Sequence, residues 1–294
     1  MTTREDRREG FAVIDKEPGC TSHDVVARAR RLLGIRKVGH AGTLDPDATG
    51  VLILGVGRAT RLLRFLTALG KTYEATVVFG AATDTCDAAG RVVGTWDMSD
   101  LTEERAGAAR AGLVGEIEQI PPMVSAVRVG GRRLHELARE GRTVPREPRT
   151  VHVRSLEMTG FAPGARPSAT FAVACSSGTY VRTLAADWGA ALGGGAHLTS
   201  LRRTAVGSFT VSEARPLEQL EVLAPAAGMR DYATLTVGEA AASAVAHGRR
   251  LPATGLEDQG PLAVLDASGS LLAMYERRGD ELRPMVVLAA AGGT

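Results

Sequence analysis

Lysine is nearly missing from this chain of 294 residues. Only Lys16, Lys37 and Lys71 occur, and arginine supplies the rest of the 35 basic residues. Lysine is a compact point charge and arginine a planar guanidinium, so the two are not interchangeable. We predict that Lys16 and Lys71 have roles that arginine could not fill, in an active-site region or in holding its loop. The alternative is that this distribution arose by chance.

The patterns of metal, disulfide and nucleotide sites are also missing. Cys20, Cys86 and Cys175 are odd in number, lie far apart and form no CxxC pair. The six histidines show no HExxH spacing, no GxxxxGK[ST] loop occurs, and the glycines at 193–195 do not follow a strand. We therefore expect no metal ion and no cofactor.

Signals for a membrane or for export are absent as well. No apolar run reaches the ~18 residues that a membrane-spanning helix needs. Residues 1–10 are polar and charged, which is typical of a disordered tail and not of a signal peptide. We predict a cytoplasmic protein without membrane contact.

Positive charge is concentrated in one stretch although the net charge is only +2. The stretch contains seven arginines and three glutamates: Arg128, Arg132, Arg133, Arg139, Arg142, Arg146 and Arg149, with Glu136, Glu140 and Glu147. Clustered guanidinium groups suit a nucleic-acid backbone, where each phosphate contact releases counterions. Arg128, Arg139 and Arg142 are our candidates for contacts with an RNA backbone. The alternative is a solvated helix face.

Strands and helices follow one another without regular βα alternation. This order predicts an α+β fold with a mixed, largely antiparallel sheet. The elements predicted before residue 224 are strands at Phe11–Asp15, Val51–Val56, Thr72–Phe79, Val151–Met158, Ser168–Cys175 and Ala205–Val211, and helices at His23–Leu33 (with Ser22 as N-cap), Thr60–Leu69, Thr102–Leu113, Arg132–Glu140 and Tyr180–Leu192.

A second, smaller domain is expected at the C-terminal end. The segment Pro225–Met229 has the composition of a linker. A small β-rich module follows it, with a helix at Val237–His247 and strands near Leu262–Leu265, Leu271–Tyr275 and Pro284–Leu288. We predict a disordered tail over residues 1–10, a large main domain over 11–224 and the module over 230–294.

The most informative stretch is the polar loop at residues 39–50, GHAGTLDPDATG. Its glycines permit tight turns and close approach by a ligand. Pro46 fixes the backbone after Asp45 and favours an extended conformation for Asp45. The loop is suited to presenting the Asp45 carboxylate, although an Asp-Pro pair between glycines is also typical of an ordinary turn.

Six ordered motifs between residues 11 and 210 carry a family resemblance. The stretch GHAGTLDPDATGVLILGVG resembles the signature loop of the TruB family of pseudouridine synthases. Five others resemble the family's remaining motifs in the same order: VIDKEPGCTSHDVV, KTYEATVVFG, QIPPMVSAVRVGGRRLHELAREG, CSSGTYVRTLAADWG and LTSLRRTAVGSF. Such ordered agreement is more specific than any single motif.

The resemblance implies a catalytic group of three residues. Asp45 takes the place of the family's essential aspartate, and Arg182 that of the arginine that pairs with it. A paired guanidinium keeps a carboxylate ionised and oriented. Tyr73 takes the place of the tyrosine that packs on the target base and is a candidate for proton transfer.

The resemblance also implies the substrate, a uridine in the T-stem-loop of tRNA. His40 takes the place of the residue that occupies the space left in the RNA stack, while Tyr180 and Leu201 line the uridine pocket. The base must leave its stack, which costs a few kcal/mol, and aromatic surfaces offset part of that cost. No external group is transferred, so the resemblance implies no cofactor, no metal and no obligate protein partner.

Two other readings remain open at this stage. One is the guide-RNA-dependent relative of the family, which needs partner proteins and carries basic tails that this sequence lacks. The other is a non-catalytic tRNA-binding folding helper.

The C-terminal module is compatible with the small PUA-like RNA-binding domain that follows this catalytic domain. Asp47 departs from the family pattern, since an apolar residue is common at its position.

Overall fold

The computed structural model describes residues 9–125, 127–142, 144–253 and 260–288. Its Cα positions divide the chain into two compact units. The first unit contains the chain up to Ala68 and from Val206 onwards, and the second unit is Leu69–Ala205. The predicted boundaries near residues 224 and 230 stay a prediction. Most of the predicted tail, residues 1–8, lies outside the described residues, as do residues 254–259 and 289–294 of the predicted module.

The N-terminal part of the first unit is built around a buried strand, β3 (Thr49–Val56), that pairs with two other strands. Its elements up to Ala68 are β1 (Gly10–Lys16), α1 (Ser22–Leu33), β2 (Val38–Ala41), β3 (Thr49–Val56), a 3-10 helix (Gly57–Leu62) and α2 (Leu63–Ala68). β3 is antiparallel to both β1 and β2. Every β3 residue from Gly50 to Val56 is buried, which explains its continuous apolar sequence.

The second unit is built on a largely antiparallel sheet. Its elements are β4 (Lys71–Phe79), β5 (Ala81–Thr83), β6 (Val92–Thr95), α3 (Glu103–Ala109), a 3-10 helix (Arg110–Leu113), β7 (Gly115–Gln119), β8 (Arg128–Val129), β9 (Arg132–Arg133), α4 (Leu134–Arg139), β10 (Arg149–Ala162), β11 (Ser168–Cys175), α5 (Val181–Ala191) and β12 (Ala196–Val206). The strand order is β12-β4-β11-β10-β7. The pairs β4–β11, β11–β10 and β10–β7 are antiparallel.

A tryptophan on α5 ties this helix to the sheet. Trp188 is fully buried and meets Phe79 of β4 and Phe171 of β11 edge to face, at ring-centroid distances of 5.5 and 5.6 Å. Its indole N–H donates to the carbonyl of Ala106 in α3 at 3.0 Å. Large aromatic surfaces buried in this way dominate core energetics, so α5 is held firmly over the sheet.

The last part of the first unit contains the small β-rich module. Three short elements precede the module, β13 (Phe209–Thr210), a 3-10 helix (Leu217–Gln219) and α6 (Pro225–Gly228). The module itself consists of β14 (Ala233–Thr236), α7 (Glu239–Ala246), β15 (Leu251–Pro252), β16 (Leu262–Leu265), β17 (Leu271–Arg278) and β18 (Glu281–Val287). Five strands in the order β14-β16-β17-β18-β15 surround a core that includes Val245, Val264 and Tyr275. The α+β class, the largely antiparallel sheet and the β-rich C-terminal module are thus confirmed.

Three arginines fasten the end of the module to the preceding part of the first unit. Arg58, Arg61 and Arg64, which are spaced three residues apart, donate to the carbonyls of Leu288, Val287 and Met285 at 2.9, 2.7 and 3.2 Å. Guanidinium groups therefore satisfy backbone acceptors in the last part of β18 and directly after it.

Two predictions in the first unit were wrong for identifiable physical reasons. The N-cap of α1 is Thr21 and not Ser22, because Thr21 and Asp24 form a reciprocal capping box. The predicted linker is a short helix, Pro225–Gly228, that packs on β1. Gly228 lies so close to the Phe11 ring that no Cβ would fit.

Three boundaries also differ from the prediction. The helix expected at Thr60–Leu69 begins as a 3-10 helix at Gly57. The helix expected at Arg132–Glu140 covers only Leu134–Arg139, because Gly130 and Gly131 have positive φ and turn β8 into β9. The strand expected at Ala205–Val211 is mostly the end of β12, since a turn at Gly207 with φ of 54° interrupts it.

Candidate active site

A buried lysine holds the loop that presents Asp45. Lys16, at the end of β1, is 1% exposed. Its ammonium donates to the carbonyls of Glu17, Pro46 and Ala48 at 3.0, 2.8 and 2.7 Å. Two of these acceptors lie directly beyond Asp45 in the Asp45 loop (residues 42–48). The three donors of an ammonium group thus find three backbone acceptors, which fits the predicted loop-holding role.

A serine holds the other side of the Asp45 loop. The buried hydroxyl of Ser22 accepts from the N–H of Leu44 at 2.9 Å and donates to its carbonyl at 3.2 Å. The N–H of Ala48 donates to the carbonyl of Asp45 at 3.2 Å and closes a turn. Gly42 and Gly50 have φ of 86° and 99°, which a side chain would strain.

The fixed loop leaves Asp45 half-buried, directly after a buried leucine. Leu44 and Ala48 are each 3% exposed, while Asp47 is exposed. Asp47 therefore does not share the environment of Asp45. His40, in β2, is half-buried, and its ring meets that of His23 edge to face at 5.2 Å. Lys16, His40 and Asp45 all belong to the first unit.

In the second unit, two of the predicted site residues, Lys71 and Tyr73, lie on the covered face of β4, because successive residues of a strand face opposite sides. Tyr73 is 9% and Lys71 6% exposed. The Lys71 ammonium donates to the carbonyl of Leu69 at 2.6 Å. Burial above all, and then the charge of Arg203, lower the pKa of Lys71 to about 8, while the Cys175 thiol acts in the opposite direction.

Arg182 lies in the first turn of α5 and is 5% exposed. One guanidinium nitrogen donates to the carbonyl of Thr85 at 3.0 Å and to Asp87 Oδ2 at 3.2 Å. The other donates to the carbonyl of Val124 at 2.7 Å. Because several acceptors hold this planar group, its orientation within the second unit is fixed.

Tyr180 is the N-cap of α5 and is half-buried. The side-chain amide of Gln119 accepts from its N–H at 2.9 Å and donates to its carbonyl at 3.2 Å. Leu201 is half-buried on β12, beside Ser200, whose hydroxyl donates to Thr76 of β4 at 2.8 Å. The second unit thus contains Lys71, Tyr73, Tyr180, Arg182 and Leu201 on adjoining elements.

The RNA-backbone candidates lie in the α4 segment, which we define as residues 128–142: Arg128 in β8, Arg139 at the end of α4 and Arg142 after it. Arg139 and Arg142 are exposed. Glu140 lies 2.5 Å from Arg132 and 3.8 Å from Arg142, and its hydrogen bond with Arg132 lowers its pKa. The side chain of Arg128 lies outside the described part of the structure. The exposed arginines fit either reading of the stretch, and the RNA role stays a prediction.

Sequence reasoning missed two residues that organise this region, Asp87 and Gln119. Gln119 is 1% exposed, and its only signal in sequence was its place just before Pro121 and Pro122. Asp87 follows Cys86, which has a φ of 60°. A left-handed non-glycine residue carries backbone strain that sequence does not reveal.

Among the described residues, no cluster of three or more His, Cys, Asp or Glu side chains has the arrangement of a metal site. The same part of the chain includes no helix that is long and apolar enough to cross a membrane.

Three family models match consecutive parts of the chain. Residues 30–181 match the TruB family pseudouridylate synthase (N terminal domain). Residues 182–231 match the tRNA pseudouridylate synthase B C-terminal domain, and residues 232–289 match tRNA Pseudouridine synthase II, C terminal.

Curated relatives agree with this over most of the chain. The tRNA pseudouridine synthase B of Thermobifida fusca is 45% identical over 96% of this chain and 99% of its own length. The tRNA pseudouridine synthase B of Rhodococcus jostii is 47% identical over 96% of this chain and 94% of its own length. That of Symbiobacterium thermophilum is 51% identical over 82% of each chain.

Solved structures share the fold at lower identity. A chain of an H/ACA RNP bound to a substrate RNA containing 2'-deoxyuridine matches with a TM-score of 0.74 and 23% identity, over 99% of this chain and 88% of that one. A chain of a Cbf5-Nop10-Gar1 complex matches with a TM-score of 0.75 and 24% identity, over the same shares. At such identity the match concerns the fold.

Proposed function

Because the chain belongs to the TruB family of pseudouridylate synthases, we propose that it is a tRNA pseudouridine synthase. This isomerase converts the T-loop uridine of tRNA (position 55) to pseudouridine. The observation that carries the proposal is the agreement with tRNA pseudouridine synthase B over 96% of this chain. The firmly held Asp45 loop supports it, because a reacting carboxylate must be positioned before the substrate arrives.

Asp45 is the proposed catalytic carboxylate. The reaction breaks the C1′–N1 bond of the nucleotide, turns the uracil and rejoins it to the ribose through C5. An ionised carboxylate can act as a nucleophile or as a base. Three paths remain open: attack on the sugar, attack on the base, and removal of a ribose proton.

The remaining roles follow from the same family assignment. Arg182 pairs with the essential aspartate, and Tyr73 packs on the target base and takes part in proton transfer. His40 fills the place in the RNA stack that the flipped base leaves, since a flat ring can replace some of the lost stacking. Tyr180 and Leu201 line the uridine pocket. Lys16 supports the site by holding the Asp45 loop.

The partner in this proposal is tRNA, bound through its T-stem-loop in the cytoplasm, without an obligate protein partner. The C-terminal module acts as a PUA-like RNA-binding domain. The reaction redistributes bonds within one nucleotide, so the proposal includes neither a cofactor nor a metal ion.

The deciding experiment is a single-turnover assay on unmodified tRNA transcript with the wild type, Asp45→Asn and Asp47→Asn. Asp47 is the matched control, because it lies in the same loop but is exposed. We expect pseudouridine with the wild type and Asp47→Asn. Asp45→Asn should lower the rate constant by more than about a thousandfold, because a neutral amide is neither a nucleophile nor a base. tRNA affinity should change little.

Two other outcomes would each point elsewhere. A wild type that binds tRNA without forming product would favour the folding-helper role. Activity that requires an added guide RNA would favour the guide-dependent relative. The 45–51% identity to tRNA pseudouridine synthase B, against 23–24% to the ribonucleoprotein chains, supports neither.

A further inference from the structure

The side chain of Gln119 pairs with the backbone of one residue, Tyr180, as a neighbouring strand would. Its Oε1 accepts from the Tyr180 N–H at 2.9 Å, and its Nε2 donates to the Tyr180 carbonyl at 3.2 Å. Two bonds to the same residue fix both its position and its rotation. Gln119 is 1% exposed, so water does not compete for either bond.

This pairing occurs at the start of α5, which has no cap of its own. The Tyr180 side chain makes no capping hydrogen bond, and no acidic residue lies in the first turn. Helix starts leave backbone N–H groups that must find acceptors elsewhere. The Tyr180 carbonyl also accepts from the N–H of Leu184 at 3.0 Å. Gln119 therefore sets the point from which the helix begins.

Arg182 follows Tyr180 by two residues and is also held by the chain segment that contains Gln119. The segment after Gln119 supplies the Val124 carbonyl, which accepts from the Arg182 guanidinium at 2.7 Å. Gln119 ends β7, whose register against β10 is fixed by the pair Gln119–Arg149. The sheet thus holds the first turn of α5 through the end of one strand.

We propose that Gln119 is a positioning residue whose buried amide fixes the start of α5, and with it Tyr180 and Arg182, in the geometry that the reaction requires. This inference rests on the proposed function, which gives Tyr180 and Arg182 their roles. Gln119 itself does not touch the reacting atoms.

The chemistry of the pairing requires both a donor and an acceptor at position 119. Methionine has a similar length and provides neither. An ionised glutamate accepts from the Tyr180 N–H but faces the Tyr180 carbonyl without a proton. A neutral glutamic acid restores both bonds, since its O–H donates and its carbonyl accepts. Gln119→Glu is therefore a variant whose pairing is switched by pH.

The experiment compares wild type, Gln119→Glu, Gln119→Met and the control Gln219→Glu, which adds the same charge at an exposed glutamine. Single-turnover rate constants at saturating enzyme and dissociation constants for tRNA are measured from about pH 5.5 to 8.5. Nearby charged groups, Arg146, Arg149 and the Arg182–Asp87 pair, are the same in all variants.

We expect Gln119→Met to lower the rate constant by about tenfold or more, with tRNA affinity changed less than about twofold. The single-turnover rate constant of Gln119→Glu, divided by that of the wild type at the same pH, should rise as the pH falls, because burial favours the neutral carboxyl. Gln219→Glu should follow the wild type. A Gln119→Glu ratio that is constant across pH, or a loss confined to tRNA affinity, would overturn the proposal.

A second measurement does not depend on activity. Hydrogen exchange of the peptide that covers Tyr180 and the first turn of α5 is followed in the free protein. It should speed up by about tenfold in Gln119→Met and stay at the wild-type rate in Gln219→Glu. Unchanged exchange contradicts the positioning role. If exchange is accelerated in Gln119→Met but the wild type itself forms no pseudouridine, the positioning role stands and only the proposed function is contradicted.

Discussion

Lys16 shows how one side chain can organise a reactive loop. An ammonium group that is removed from water needs acceptors for all three of its protons, or its burial becomes very costly. The carbonyls of Glu17, Pro46 and Ala48 provide them. The Ala48 carbonyl is buried together with the ammonium group, whereas the Pro46 carbonyl also accepts from the N–H of Gly19 at 3.0 Å. Loop and lysine therefore stabilise each other, and a flat, larger guanidinium does not match three converging acceptors.

Replacing Lys16 should accordingly damage both stability and catalysis. We expect Lys16→Met to lower the free energy of unfolding by about 2–4 kcal/mol, because one buried and two partly buried carbonyls lose the ammonium donor. Lys16→Arg should also lower the single-turnover rate constant, by about tenfold or more. Urea denaturation and the pseudouridine assay measure the two effects. Lys37→Arg is the control, since Lys37 is exposed. A Lys16→Arg variant with wild-type stability and rate would show that the loop does not need the ammonium group.

At the level of elements, the alternation of β4 determines the environment of Lys71. Successive residues of a strand face opposite sides, so Lys71 shares the covered face with Tyr73, Ala75 and Val77. The sequence correctly predicted this strand and its apolar face. It did not predict a depressed lysine pKa, because that depends on burial and on Arg203, which comes from a distant part of the chain.

This environment makes stability depend on pH in a defined direction. The pKa of Lys71 falls from 10.5 to about 8 on folding, so between these values the unfolded chain binds more protons. The free energy of unfolding should therefore rise with pH between these two values. Below about pH 8 Lys71 is charged in the folded protein as well, and its burial then destabilises the fold by the full amount. Relative to Lys71→Met, the wild type should gain about 2 kcal/mol between about pH 7.5 and 10, measured by urea denaturation. Parallel curves for the two proteins would contradict the shift.

What the sequence revealed about elements depended on whether the signal was local. The strand Leu262–Leu265 was predicted at its exact bounds because an apolar run ends at turn residues. Thr21 was missed as a cap because Ser22 satisfies the same preference, and the contact of Ser22 with Leu44 is not local. Asp45 was proposed from the family resemblance of its loop, because an Asp-Pro pair between glycines is by itself also typical of an ordinary turn. Gln119 and Asp87 could not, since their partners are distant in sequence.

At the scale of the whole molecule, charge is nearly balanced, with a net +2. Affinity for a polyanion must then come from local clusters. The α4 segment has exposed arginines, yet Glu140 offsets some of their charge. A general attraction to nucleic acid is not expected from such a molecule, so its binding should depend on a few defined phosphate contacts.

We expect the double variant Arg139→Gln/Arg142→Gln to weaken tRNA binding. The slope of log Kd against log salt concentration should fall by up to about 2 units, which is less than one unit per lost phosphate contact. The control is Arg91→Gln/Arg105→Gln, because these arginines pair with Asp84 and Asp100. Titrations at several salt concentrations measure the slope. An unchanged slope in the first variant would assign Arg139 and Arg142 to a solvated face.

The near absence of lysine has a practical consequence for handling the protein. Lys16 and Lys71 are buried, at 1% and 6% exposure, whereas Lys37 is exposed. Amine-reactive dyes and cross-linkers act on accessible amino groups, so among the lysines of the native protein they should modify Lys37. Attachment through a lysine side chain would then be confined to this one position, and the α-amino group of the chain would be the other amine to react.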